Sequence, residues 1–109
     1  MKKDSRPPDH LSLEAKRTWK ALLVEWPTIG DVVGLRILRV ALESFDRAQA
    51  ARVAITKDGM TVVDKFGQTK PHPLLQCERD SRAAFLAGLK ALNLDIEPLR
   101  DSAGRPPGR

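Results

Sequence analysis

The residue types that do covalent or metal chemistry are sparse in this chain, and their spacing does not bring them together. The two histidines are His10, in a proline-rich start, and His72, between Pro71 and Pro73. No His-x-x-x-His pair sets two imidazoles on one helix face to hold a metal. Cys77 is the one cysteine. It falls at a helical core position and reads as a small apolar group. A single thiol builds neither a disulfide framework nor a cysteine metal site, which fits a reducing compartment. The carboxylates Asp58, Asp64, Glu78, Asp80, Asp95 and Glu97 form no nuclease pattern, and Glu78 and Asp80, two apart on a helix, point in different directions. No glycine-rich loop runs into Lys-Ser/Thr, which excludes a P-loop ATPase on motif grounds. Catalysis needs convergent groups. None is expected here, and the sequence implies no cofactor, no metal and no small-molecule substrate.

The chemistry on offer is electrostatic. The net charge is +5 and the isoelectric point about 9.8, a balance that favours a polyanionic partner, nucleic acid first. The charge is spread, with three denser groups. Lys2, Lys3 and Arg6 sit in the N-terminal arm, Lys16, Arg17 and Lys20 lie close together on the first helix, and Arg105 and Arg109 end the tail. Contacts to phosphates need only accessible positive charge, so these eight residues are the candidate DNA-binding set. Taken singly, each also reads as a solvated surface group. No tight array of Asn, Gln and Arg marks a base-reading helix. The Pro27–Gly30 junction could be the turn of a helix-turn-helix, but the helix after it is long for a reader.

The elements that must carry these groups follow from capping and periodicity. Residues 1–10 read as a flexible basic arm, extended by Pro7-Pro8. Ser12 is a good N-cap, and Ala15, Trp19, Leu22, Leu23 and Trp26 share one face of a helix over about 12–26, which Pro27 ends. Asp31 caps a second helix over about 31–55, roughly 35 Å long at 1.5 Å per residue. One of its stripes is large (Leu35, Leu38, Leu42, Phe45) and the neighbouring one is small (Ile37, Ala41, Ala48, Ala51, Ile55). The small stripe would admit a helix from another subunit, or be covered by the first and third helices. Residues 56–70, with Asp58-Gly59, β-branched Thr61-Val62-Val63 and Gly67, predict a small β-hairpin or an irregular loop. Pro73 opens a third helix over about 73–92, where Leu74, Cys77, Ser81, Phe85, Gly88, Leu89 and Leu92 share a face and Asn93 is the expected C-cap. Leu94, Ile96 and Leu99 form an apolar coda to a core domain of 11–99, and 100–109 is a flexible basic tail. The fold class is therefore mainly α: three helices with a long central one, a small hairpin or loop before the third, and flexible basic termini. Aromatics are scarce, with two Trp, three Phe and no Tyr. A core that thin makes self-association a reasonable expectation. No apolar run approaches the roughly 20 residues that span a bilayer, and no signal-peptide core follows the basic start. A soluble, intracellular protein is expected.

The order of short motifs adds a resemblance. Pro7-Pro8-x-His10-Leu11 precedes Glu14-Ala15-Lys16 and Trp19. Glu43-Ser44-Phe45-Asp46-Arg47 lies on the long helix. Gly67-Gln68-x-Lys70-x-His72-Pro73-Leu74 leads into Glu78-Arg79-Asp80-Ser81-Arg82, and the chain closes on Gly104-Arg105-Pro106-Pro107-Gly108. Each is weak alone; in this order and at this length they resemble the small terminase subunit family, encoded beside the large terminase gene in many long-tailed phages and prophages. The likeness runs from about Pro7 to Gly108. It implies a ring-forming protomer in the bacterial host cytoplasm that engages double-stranded viral DNA. It also implies that this ring hands the DNA to a large subunit holding the ATPase and the nuclease, and modulates both. No separate N-terminal helix-turn-helix module is evident, so binding would come from dispersed basic contacts multiplied by oligomerisation. The expected subunit interface comprises Ile37, Ala41, Ala48 and Ala51 of the small stripe with Arg79, Asp80 and Arg82 of the third helix. Two other readings compete with this one: a small basic DNA-binding regulator, and a helical adaptor that binds only protein.

Overall fold

The computed structural model describes residues 5–94. The first helix, α1, spans Leu13–Glu25. Ser12 caps it, its Oγ accepting from the Ala15 N–H at 3.0 Å. The helix stops before Pro27, and a single 3₁₀ turn over Pro27–Gly30 buries Ile29 and reverses the chain. Helix α2 spans Val32–Asp58, running a turn beyond the expected end. Asp31 caps it by accepting from the Gly34 N–H at 2.7 Å. It ends at Gly59, whose φ of 90° is a conformation that glycine adopts without steric cost.

Between α2 and the third helix stands the hairpin that the sequence left open. Strands β1 (Thr61–Val63) and β2 (Thr69–Pro71) pair antiparallel, with Thr61 opposite Pro71 and Val63 opposite Thr69. Helix α3 spans Leu74–Ala91. His72 stands at its start. The Nδ1 atom accepts from the Leu74 N–H at 3.0 Å, so the ring proton sits on Nε2, which donates to Asp58 at 3.0 Å. His72 thus caps α3 and ties it to the end of α2. Asn93, at φ 64°, takes the left-handed conformation that closes the helix.

The core is built around α2. Leu38 and Leu42 are fully buried, and Leu11, Ala15, Trp19, Ile29 and Leu92 close around them. The large stripe of α2 serves this core, with Phe45 meeting Phe85 of α3 at 5.3 Å between ring centroids. The small stripe is internal as well. Ala41, Ala48 and Ala51 are only 1–3% exposed within the single chain, and α3 is the element that covers this side of α2 most closely. Gly88 lets it do so: a Cβ added there would stand 2.7 Å from the Ala41 Cβ. This corrects the expected subunit interface. Ala41, Ala48 and Ala51 offer no surface to a second copy, and Ile37 is half-buried against the same core. The physical reason is that α3 carries small residues of its own at the crossing, so the close helix approach that the alanines permit is satisfied within the protomer.

Candidate nucleic-acid interface

Trp19 anchors the basic surface. Its ring is buried in the core, and its indole N–H, which needs a partner once desolvated, donates to the Ser5 carbonyl at 2.8 Å. Leu11 is buried too. His10 pairs with Glu43 at 2.7 Å. The Ser12 N–H donates to Asp46 at 2.8 Å, and the Ser12 hydroxyl donates to the other oxygen of that carboxylate. So of the expected arm 1–10, residues 5–10 lie as a strap against α1 and α2.

The strap brings Arg6 to α2. Arg6 and Pro8 line an open groove with Trp19, Val32, Leu35, Arg36 and Arg39. The groove has apolar walls and three guanidinium groups around it. Arg39 also pairs with Glu43 at 3.2 Å. Glu43 therefore bridges strap and groove, and the hydrogen bond from His10, seconded by Arg39, holds its carboxyl below the usual range. Arg36 and Arg39 are exposed on α2. Only the docking of the strap joins them to Arg6, and no spacing within the chain encodes that.

Lys16, Arg17 and Lys20 share one side of α1, Lys16 half-buried and the other two exposed. With Leu13 and Val24, both exposed, Arg17 and Lys20 make a stripe along the helix. Among the described residues, no ion pair engages Lys16, Arg17, Lys20 or Arg36. Where α2 and α3 meet, charge is matched within the protomer. Glu78 takes both Arg52, at 3.2 Å, and Arg82, at 3.5 Å, so Arg82 of the expected subunit interface finds its partner on its own helix. Arg79 and Asp80 are exposed on α3. Lys2, Lys3, Arg105 and Arg109 lie outside the described residues.

Among the described residues, no group of three or more His, Cys, Asp and Glu could hold a metal ion, and no helix is long and apolar enough to cross a membrane. Cys77 faces Ser81 of the same helix, with Sγ and Oγ 3.9 Å apart. Comparison with protein-family models, with curated proteins and with solved structures gives no match to this chain.

Proposed function

We propose that this protein is a small terminase subunit, an accessory factor that engages double-stranded viral DNA and delivers it to a large subunit bearing the ATPase and nuclease. The observation that carries the DNA-binding part is the grouping of Arg6, Arg36 and Arg39 on one groove. Lys16, Arg17 and Lys20 on α1 add cations that no carboxylate of the described chain neutralises. Accessible cations are what phosphate contacts require, because affinity then comes from displaced counterions. The terminase part rests on the ordered motifs from Gly67 to Arg82 and the closing Gly-Arg-Pro-Pro. Ring formation in the host cytoplasm belongs to the same reading. The exposed valines Val33 and Val40, seven residues apart on α2, are surface that a second copy could cover in place of the buried alanines.

The test is duplex-DNA binding measured across a salt series. For the wild type, log affinity should fall linearly with log salt, with a slope of about −0.9 per phosphate contacted. Replacing Arg36 or Arg39 by Ser should flatten that slope by about one contact each, on every DNA sequence alike. No binding at low salt would overturn the DNA reading. Solution mass checks the assembly: a ring of many copies supports the packaging role, and a dimer overturns it.

A further inference from the structure

From the geometry of the hairpin we infer a second DNA contact, in which Phe66 acts as an aromatic wedge that stacks against an opened base step. The inference rests on the DNA-binding reading above and goes beyond it, because no basic groove is involved. Phe66 sits at the tip of the β1–β2 turn and is 76% exposed. Val63, at the tip end of β1, and Met60, at the base of the ribbon, are each 67% exposed. A solvated Phe at the end of a projecting ribbon is the kind of exposed apolar surface that marks a contact site.

The turn is built to hold it there. The Asp64 carboxylate accepts from the Phe66 N–H at 2.8 Å and the Gln68 N–H at 2.9 Å. Its backbone carbonyl accepts from Gly67 at 3.0 Å, and its N–H donates to the Gln68 carbonyl at 2.9 Å. Gly67, at φ 80°, supplies the left-handed residue that the turn needs. Phe66 is thereby presented by a locked loop, so little ordering entropy is lost when it docks.

Charge selects the partner. Lys65 lies over the Phe66 ring, its Nζ 5.6 Å from the centroid, and Lys70 is exposed on β2 of the same ribbon. Asp64 is turned inward on its own turn and toward Lys70, at 3.9 Å, and Asp58, which accepts from the His72 Nε2–H, ends α2 at the base of the ribbon rather than at its tip. The tip therefore offers an aromatic face with a cation on it. A two-stranded ribbon fits a DNA groove. An apolar side chain between base steps, flanked by lysines for the phosphates, is how duplexes are kinked by proteins. An uncharged protein surface would leave Lys65, which no carboxylate of the described residues pairs, unmatched.

The experiment uses the full chain and a duplex carrying 2-aminopurine, whose fluorescence rises when its step unstacks. Wild type should raise the signal. Phe66→Ala should abolish the rise and weaken binding about 5-fold to 150-fold, the range given by one base stacked on an aromatic ring. Its salt slope should stay unchanged, because no cation is removed. Lys65→Ala should weaken binding and keep the rise. Phe66 is exposed, so its removal leaves the helical core intact, which thermal melting verifies. If Phe66→Ala binds and raises the signal like wild type, the wedge is overturned while DNA binding stands. If Phe66→Ala changes only the sedimentation mass, the tip is a self-association contact and the wedge is likewise overturned. If the wild type does not bind at all, both readings fall together.

Discussion

Substituting Gly88 by Ala tests the closest approach in the fold. The added methyl would lie 2.7 Å from the Ala41 Cβ, about 1 Å inside the ordinary separation of two carbons. Either α3 shifts outward or the pair stays compressed, and overpacking of this kind costs about 1–3 kcal/mol. Against that, Ala is the better helix former by about 1 kcal/mol in a helix interior. The two effects oppose, and overpacking is the larger, so the expected net loss is about 1 kcal/mol. In a domain of this size that lowers Tm by roughly 4–8 °C. The assay is urea unfolding of a double-mutant cycle with Ala41→Gly. Once Ala41 is Gly the nearest atom left is its Cα at 3.4 Å, and Gly88→Ala should then stabilise by up to about 1 kcal/mol, giving a coupling of up to about 2 kcal/mol between the positions. If Gly88→Ala stabilises the protein with Ala41 in place, the two helices do not meet as described. The assignment of the alanine stripe to the protomer interior would then fail.

Three further outcomes are expected. Gly34→Ala should destabilise by about 1–3 kcal/mol or more, because its Cβ would run into the Ile29 carbonyl oxygen, a backbone atom with little freedom to move, and into the capping carboxylate of Asp31; thermal melting reads the loss. His72→Ala removes the acceptor for the Leu74 N–H and the tie to Asp58 and should cost about 1–2 kcal/mol in chemical unfolding, with His72→Asn recovering part because Asn also caps. Glu43, whose carboxyl is held below its ordinary value of 4.5 by His10 and Arg39, stabilises the fold when ionised. That contribution is complete above 4.5 and is lost as pH falls through the depressed folded-state value. Glu43→Gln should therefore flatten the decline in the urea midpoint on acidification below about 4.5, and an unchanged decline would show that the strap contact carries no weight.

How much could be read in advance depended on whether the determining interaction is local. Ser12, Asp31 and Pro27 set the bounds of α1 and the start of α2 through contacts within three residues, and these were legible. Pro73 and Asn93 likewise marked α3. The hairpin was ambiguous because its Asp64 turn is fixed by one side chain bonding two backbone N–H groups, a detail that composition does not announce. The alanine stripe was misassigned because a small-residue surface on α2 does not state whose helix covers it; the answer lies in Gly88, some forty-seven positions beyond Ala41. The basic groove was missed because Arg6 meets Arg36 and Arg39 only after Trp19 has captured the Ser5 carbonyl. The individual cations of α1 were legible from type and spacing.

His72 has one more consequence. Its ring bonds Asp58 and the Leu74 N–H, and its own N–H donates to the Met60 carbonyl at 2.8 Å. The end of α2, the start of the ribbon and the start of α3 are thus fastened at one knot, and everything between Gly59 and Pro71 is a loop already closed at its base. Beyond that knot, the entropic cost of a longer excursion grows only with the logarithm of its length, about 0.6 kcal/mol for each doubling. The ribbon is therefore the place where this chain can gain or lose residues with the helices undisturbed, so the reach of the arm can vary independently of the stability of the body that carries it.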